Sequence, residues 1–158
     1  MTDPVIFGYT IFCDDVRFEV GDKISLIGVY HAVMLIPGEF PFTVPKFTMA
    51  VRYVERIGAC SEEVRLRVFM PGDAEDRPTV DGKIEIEEQR EIAIRAMKKI
   101  PNKDEPPEYI HIGSNIVLAP LVLQKPGLIR VRAFCGDETV KLGALRIQRA
   151  STEVQEPT

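Results

Sequence analysis

The apolar residues of this chain are mostly β-branched, and this preference constrains the fold more than any other feature of the sequence. Val and Ile together number 32 among the 158 residues, whereas Leu contributes only 9. Because two heavy atoms on Cβ restrict a side chain in a helix but fit a pleated sheet, this ratio favours strands. The 11 Gly and 12 Pro lie mostly between apolar runs, where turns are needed. The sequence therefore predicts a mainly β protein.

Three segments alternate apolar and polar residues with the period of two that is typical of a strand with one buried face. They are residues 46–53, 63–70 and 128–135. The last segment is followed by Gly136-Asp137-Glu138, a short turn in which Gly can adopt a positive φ, and then by a further apolar segment at 138–148. These two segments form the clearest predicted hairpin. The alternation changes phase at Gly143, which predicts a β-bulge there.

Two earlier segments, 5–13 and 24–35, differ because they carry large apolar side chains on both alternating faces. We therefore expect both to be covered by protein on two sides. Residues 14–23 between them are interpreted as a connection that turns at Gly21-Asp22. The stretch 36–45 contains three prolines and cannot form a central strand, because Pro has no backbone N–H to donate.

Residues 87–99 break the strand pattern and predict one amphipathic helix. Apolar residues recur at helical spacing, and Pro101 follows as a stop. These apolar residues are Ile92, Ala93, Ala96, Met97 and Ile100. The charged residues of the segment are interpreted as a solvated face with supporting ion pairs. They are Glu85, Glu87, Glu88, Arg90, Glu91 and Arg95.

Together these patterns predict a two-layer antiparallel β-sandwich of about seven or eight strands, with the helix near 87–99 lying over a sheet edge or an open end. The expected topology is Greek-key or immunoglobulin-like. An antibody-type domain is disfavoured because the chain has no Trp for its core position. A chain of this length can bury a sufficient core, so we expect a single domain at residues 1–149, followed by a disordered tail at 150–158.

The charge of the chain argues against two classes of partner. Lys and Arg number 20 and Asp and Glu number 24, which gives a net charge of −4 and a pI near 5.3. Such a chain is poorly suited to neutralising a phosphate backbone or an anionic membrane, so we expect neither nucleic acid nor membrane as a partner. The first residues, Met1-Thr2-Asp3-Pro4, are acidic where a signal peptide would be basic. A cytoplasmic location is therefore expected.

Two parts of the chain resemble a known family. One is the run Cys13-Asp14-Asp15-Val16-Arg17, followed by Gly21-Asp22-Lys23-Ile24-Ser25-Leu26-Ile27-Gly28-Val29-Tyr30. The other is Val122-Leu123-Gln124-Lys125-Pro126-Gly127, with the Gly136-Asp137-Glu138 turn and Leu142-Gly143. They are similar to the opening signature and the end of a family of small bacterial proteins classed as a domain of unknown function. The resemblance spans most of residues 5–148 and implies a β-rich domain, but no activity, cofactor or catalytic residue.

Candidate metal ligands and acid-base groups are few and lie far apart in the sequence. His31 and His111 have no companion at the spacing of a zinc motif, and the glycines form no phosphate-binding loop. The acidic candidates are Asp14 and Asp15, the cluster Asp73, Glu75 and Asp76, and the pair Asp137 and Glu138. Because these acids fit ordinary turns and no loop has the oxygen-rich pattern of a calcium site, we assign no catalytic, cofactor or metal-binding residue.

The three cysteines, Cys13, Cys60 and Cys135, form no metal or redox motif, which is typical of free thiols. A Cys13–Cys135 bridge between two strands stays open as an alternative. Cys60 lies in a polar loop and is the best candidate for a reactive thiol, although no His near it in sequence would activate it.

Two functions from different classes remain. The first, which we prefer, is a non-catalytic binding or assembly module that presents loops, an edge strand or an apolar face to a protein partner. The alternative is a small metal-binding protein or enzyme with a site built from Asp14, Asp15, His31 or His111. A pocket that holds two or more of these side chains would favour the alternative, and their dispersal would favour the binding module.

The two-sided apolar segments also predict self-association, because the second face of each segment needs a cover. We expect a homodimer with two-fold symmetry, whose contact uses apolar residues of both segments. These residues are Phe7, Tyr9, Ile11, Ile27 and Val29. In the competing interpretation the loop 36–45, which contains Phe40 and Phe42, folds back and covers this face within one chain.

Overall fold

A computed structural model describes residues 5–99 and 108–151, and within these ranges the chain forms twelve strands and one helix. In chain order they are β1 (Ile6–Cys13), β2 (Asp15–Glu19), β3 (Lys23–Ile27), β4 (Val33–Ile36), β5 (Phe42–Val44), β6 (Phe47–Arg56), β7 (Val64–Phe69), β8 (Val80–Ile84), α1 (Glu87–Lys99), β9 (Tyr109–Leu118), β10 (Leu121–Leu123), β11 (Gly127–Cys135) and β12 (Glu138–Arg149).

The strands form four sheets. One has three strands in the order β1-β6-β9, one has five in the order β4-β12-β11-β7-β8, and two small sheets pair β2 with β3 and β5 with β10. Every pair is antiparallel except β4 and β12, which are parallel. The prediction of a mainly β, largely antiparallel protein is confirmed, whereas the predicted number of seven or eight strands is too low. Short strands such as β5 and β10 have too few residues to show alternation.

Residues 14–23 are not a simple connection, as their sequence suggests, but most of a β-hairpin. β2 and β3 pair from Asp15 opposite Ile27 to Glu19 opposite Lys23. Gly21 and Asp22 form the turn with φ values of 81° and 56°, which confirms the predicted turn. As a result, 24–35 is two strands in different sheets, β3 and β4, rather than one covered segment.

β6 is covered on both faces, although its sequence predicts a strand with one exposed face. Its residues Thr48 and Ala50 point away from the core, yet they are 0% and 1% exposed. The β2–β3 hairpin lies over this outer face of the three-stranded sheet. By contrast, β1 is predicted to be covered on both sides, but its Tyr9 is 52% exposed. The prediction fails in both cases because the alternation within one segment does not show which other element covers each face.

The inner faces of the two larger sheets contribute to one hydrophobic cluster. Its members include Met49, Val51 and Tyr53 of β6, Val68 of β7, Val131 and Ala133 of β11, and Leu145 and Ile147 of β12. Phe40 and Phe42 pack against this cluster. The competing interpretation, in which the loop 36–45 covers the outer face of β1, is therefore wrong. The same stretch forms no central strand, as predicted, because β5 pairs only with β10.

The hairpin of β11 and β12 confirms the clearest sequence prediction. Gly136, with a φ of 57°, begins the turn between the two strands. Their register shifts where Val131 pairs with Gly143 and Arg132 pairs with Lys141, so the predicted bulge is present. At the far end of β12, the backbone N–H of Ala150 donates to the Ile36 carbonyl at 2.8 Å. Residues 152–158 of the predicted tail lie outside the described residues.

The helix α1 has the predicted bounds but not the predicted packing. Ile92 is 55% exposed and Ala96 is exposed as well, so this part of the expected apolar stripe does not enter the core. Ile100 and the side chain of Met97, which belong to the same stripe, lie outside the described part of the structure. α1 contacts β9, an edge strand of the three-stranded sheet. Among the described residues, no helix combines the length and the apolar character needed to cross a bilayer.

Candidate functional site

Asp14 and Asp15 join β1 to the β2–β3 hairpin, and both carboxylates hold this junction in place. The Tyr30 hydroxyl donates to Asp14 Oδ1 at 2.8 Å, and Lys46 Nζ lies 2.6 Å from Asp15 Oδ1. The hydrogen bond from Lys46 holds the pKa of Asp15 below its usual range. Burial, and then the contact with Asp14, raises the pKa of Tyr30 to about 12. Both carboxylates are therefore engaged in contacts that hold this junction together.

The hairpin is amphipathic, and its apolar face borders an open groove. The strand register places Val16 and Phe18 of β2 on the same face as Leu26 and Ile24 of β3. A groove of about 440 Å³ separates this hairpin from the outer face of the three-stranded sheet. Its walls are Tyr9, Ile11, Ala50 and Arg52 of the sheet and Asp22, Ile24 and Leu26 of the hairpin.

Several large apolar side chains around this groove face solvent. Phe18 is 79% exposed and Val20 is 93% exposed, and the tip of the hairpin carries both. Tyr9 and Ile24, which line the groove, are 52% and 36% exposed. We call these four residues the hairpin surface. Three other residues of the predicted dimer contact, Phe7, Ile27 and Val29, are also exposed, and Ile11 is half-buried.

His111 does not join Asp14 and Asp15 in one site. His111 is exposed on β9 and pairs with Val54 of β6, whereas Cys13, which precedes Asp14, pairs with Thr48 of β6. Six residues of β6 separate these positions, a distance of about 20 Å along a strand. His31 is exposed in the loop after Tyr30. In residues 5–99 and 108–151, no three His, Cys, Asp or Glu side chains are placed to hold a metal ion.

A family model described as a family of unknown function, DUF6941, matches residues 8–148. The chain belongs to this family. The resemblance of the opening and closing runs to a domain of unknown function is thereby confirmed. No curated protein and no solved structure matches the chain.

Among the described residues of this DUF6941 member, the most deeply buried carboxylate is Glu55, which is not one of the candidates drawn from sequence. Glu55 is 0% exposed on the inner face of β6. Arg90 of α1 contacts it with two hydrogen bonds, from Nε to Oε1 at 2.7 Å and from Nη2 to Oε2 at 3.0 Å. The hydroxyl of Tyr53 donates to Oε2 at 2.8 Å. Arg90 is therefore part of a buried ion pair, and the prediction that it belongs to a solvated helix face is wrong.

This ion pair anchors α1. Arg90 Nη1 also donates to the Glu62 carbonyl at 2.8 Å, so one guanidinium joins the helix to β6 and to the loop before β7. Burial, together with the hydrogen bond to Glu55, raises the pKa of Tyr53, and Glu55 raises the pKa of Arg90. Tyr53 and Arg90 therefore keep their protons near neutral pH, and the Glu55 carboxylate has no access to solvent. A structural role follows from this arrangement.

Cys60 and Cys135 form a disulfide bond, with Cα atoms 6.8 Å apart. Cys60 lies in the loop between β6 and β7, and Cys135 ends β11. The expectation of three free thiols is therefore wrong for two of them. The alternative Cys13–Cys135 bridge is wrong as well, because Cys13 is free and buried, and this burial raises the pKa of its thiol. No local motif could reveal a pair that is 75 residues apart.

The acidic cluster between β7 and β8 lies in a loop that Asp73 closes. Asp73 Oδ2 accepts hydrogen bonds from Met70 N, Thr79 N and Thr79 Oγ1, at 2.7 to 2.9 Å, and so closes the loop at its base. This confirms the interpretation of Asp73 as turn chemistry. Glu75 extends from the loop and contacts two arginines of β11. Asp137 and Glu138 lie at the turn between β11 and β12.

Proposed function

We propose that the protein is a non-catalytic binding module of β-sandwich type, a single domain over residues 1–149, that assembles as a homodimer through the hairpin surface. The proposal rests on one feature, the combination of exposed apolar side chains at the hairpin tip with an open groove beneath the same hairpin. Phe18 and Val20 are 79% and 93% exposed. The free energy of the protein falls when a partner covers such side chains and removes them from water.

A second copy of the chain is the partner that this geometry favours. The protruding residues lie on the hairpin that forms one wall of the groove, so a two-fold axis would let each subunit insert Phe18 into the groove of its partner. Such a contact is closed and does not propagate into fibres. It would include Tyr9 and Ile11, which are among the residues that the sequence predicts for a dimer contact.

The charges at the groove support the same choice of partner. Arg52 and Asp22 both line the groove. The Arg52 guanidinium donates to the Val51 carbonyl at 2.8 Å. Within the described ranges, no carboxylate lies close enough to this guanidinium, 4.0 Å or less, to form a salt bridge. A surface that carries one unpaired cation and one anion is complementary to a rotated copy of itself.

The alternative, a small enzyme or metal-binding protein, has less support. Asp14 and Asp15 are engaged by Tyr30 and Lys46, and His111 lies about 20 Å away along β6. The buried Glu55 has no access to a substrate. A binding module needs none of these groups in a shared cleft, which is why we prefer it.

Analytical ultracentrifugation of the wild-type protein and of Phe18→Asp tests this proposal. We expect wild type to sediment with twice the chain mass of 17.8 kDa at micromolar concentration. Burying one Phe contributes about 2 kcal/mol, and a symmetric dimer contains two, so Phe18→Asp is expected to weaken dimerisation about a thousandfold. Because Phe18 is 79% exposed, the variant keeps its fold.

Leu35→Asp is a matched control. Leu35 is also apolar and is 58% exposed, but it lies on the edge strand β4 of the five-stranded sheet. This variant should dimerise like wild type. A wild-type protein that stays monomeric up to about 100 µM, or a dimer that Phe18→Asp leaves unchanged, would exclude the hairpin surface as the interface.

A further inference from the structure

The outer face of the five-stranded sheet carries an unusual density of positive charge. The strand registers place seven cationic side chains on this face, which we call the basic face. They are Arg65, Arg67, Lys83, Arg130, Arg132, Lys141 and Arg146. They lie on four adjacent strands, β8, β7, β11 and β12, of a chain whose net charge is −4. The positive charge is therefore concentrated on this face, although the chain as a whole is negatively charged.

Carboxylates neutralise only part of this charge. In the described segments, four carboxylates lie within 4 Å of these cations, namely Glu63, Glu75, Asp81 and Glu87. None of the four contacts Lys141 or Arg146. The basic face thus keeps an excess of cations, which would attract an anionic partner.

Arg130 and Arg132 form a rigid clamp at the centre of this face. They lie two residues apart on β11, and their guanidinium groups stack over the ring of Phe69, with distances of 4.9 and 5.5 Å to its centroid. Their side chains are only 25% and 21% exposed. Because the stacking already fixes both guanidinium groups, binding an anion costs little further side-chain entropy.

Glu75 shows which chemistry the clamp accepts. Its two carboxylate oxygens contact Arg130 Nη1 at 2.7 Å and Arg132 Nη1 at 2.9 Å, so one carboxylate bridges both arginines. The hydrogen bond from Arg130 holds the pKa of Glu75 below its usual range. Glu75 belongs to the loop between β7 and β8, and its side chain is 65% exposed. It is therefore a tethered anion at the rim of the clamp rather than a buried structural group.

A groove opens beside the clamp. It has a volume of about 490 Å³ and lies where the bulge at Gly143 interrupts the regular surface of β11 and β12. Leu128 and Ala144 give it apolar walls, and Lys141 and the two clamp arginines give it positive charge. A ligand in this groove would meet both arginines and an additional cation.

We propose that the basic face binds an acidic peptide segment of a protein partner, with the Arg130–Arg132 clamp at its centre and Glu75 as an internal competitor for that clamp. The cations extend over four strands, which is three inter-strand spacings or about 14 Å, a span that suits an extended peptide better than a small anion. This site lies on a different sheet from the hairpin surface, so it does not depend on the proposed homodimer.

Fluorescence anisotropy tests this proposal with a labelled ten-residue peptide of alternating Glu and Ala, and with the matching Gln and Ala peptide as the neutral control. We expect the acidic peptide to bind and the neutral one not to bind. Glu75→Gln removes the competing charge and keeps the side-chain shape, so it should tighten binding about tenfold. Arg132→Gln should weaken binding by at least about tenfold, because one half of the clamp is lost.

Two further variants distinguish the effect of the clamp on binding from the effect of a simple change in net charge. Glu91→Gln makes the same charge change as Glu75→Gln at a helix residue whose side chain is 69% exposed, and it should leave binding within about twofold of wild type. Arg132→Lys keeps the charge but not the planar guanidinium. Its affinity for the acidic peptide should therefore lie between those of wild type and Arg132→Gln. Thermal unfolding of each variant checks that it is folded.

Three results would overturn the proposal. The first is equal binding by Glu75→Gln and Glu91→Gln, and the second is unchanged binding by Arg132→Gln. The third is a different ligand, shown when succinate, inorganic phosphate or a single-stranded oligonucleotide binds as tightly as the acidic peptide. If Glu75→Gln does not tighten peptide binding while the protein still dimerises, the basic face is refuted as the site and the hairpin surface is not affected.

Discussion

The buried pair of Glu55 and Arg90 holds α1 to the body of the protein, and its removal should have a large effect on stability. Arg90→Met removes the guanidinium but keeps most of the aliphatic side chain. The variant loses hydrogen bonds of 2.7 and 3.0 Å to Glu55 and of 2.8 Å to the Glu62 carbonyl. Glu55, at 0% exposure, is left as an unpaired buried charge. We expect the free energy of unfolding to fall by about 3 to 5 kcal/mol.

A double-mutant cycle isolates the interaction from other effects of the substitutions. Glu55→Gln removes the negative charge and still lets the Tyr53 hydroxyl donate to the side chain. In the double variant no charge is left unpaired, so its stability should exceed the value expected from adding the two single losses. We expect a coupling free energy of about 2 kcal/mol or more.

Urea unfolding at 25 °C, followed by circular dichroism, measures these free energies. Arg95→Met is the control on the same helix, because Arg95 is 74% exposed and its contact with Glu91 is an i,i+4 pair at 3.5 Å. Its effect should be within about 0.5 kcal/mol. The amides of α1 should also exchange with solvent faster in Arg90→Met than in Arg95→Met. A coupling free energy below about 0.5 kcal/mol would refute the anchoring role.

Three other predictions follow from the structure. Reduction of the Cys60–Cys135 disulfide should lower the free energy of unfolding by about 2 to 4 kcal/mol, and Cys60→Ser should show the same loss with no response to reductant; equal stability in both redox states would contradict the disulfide. The pKa of Tyr30 is raised to about 12, so its contribution to stability is complete below pH 10 and is lost as the pH rises from 10 to 12. Tyr30→Phe should therefore lose less stability than wild type over that interval, and identical pH profiles would contradict this role. Gly8→Ala places a Cβ against a carbonyl oxygen of β6 and should cost about 1 to 3 kcal/mol by thermal unfolding, whereas Gly82→Ala meets no atom within 4 Å and should be close to neutral; similar losses for both would disprove the close approach of β1.

Local patterns were sufficient for the elements that depend only on neighbouring residues. The alternation of apolar residues located β6, β7 and β11, and helical spacing located α1 at residues 87–99. The phase change at Gly143 located the bulge. In each case one short segment contains the whole signal, because side-chain direction has a period of two in a strand and 3.6 in a helix.

The β2–β3 hairpin and the buried carboxylate also have local signals in the sequence, although these signals are short. Residues Val16, Phe18 and Val20 alternate with charged residues, which is a strand pattern of only five or six positions. The alternation of β6 continues from Tyr53 to Glu55, so the period itself places Glu55 on the inner face. A carboxylate at such a position requires a cation, but nothing local names Arg90 as that cation.

The sequence by itself determined the β-rich class, the helix, the β11–β12 hairpin, the bulge and membership of the family. Only the tertiary structure decided which distant groups meet. Glu55 pairs with Arg90 across 35 residues, Cys60 pairs with Cys135 across 75, and Glu75 reaches Arg130 across 55. Periodicity describes how one segment divides its faces between core and solvent, but it contains no information on which other segment covers each face. That choice depends on sheet order and on the packing of the whole chain, and it decides where the hairpin surface and the basic face lie.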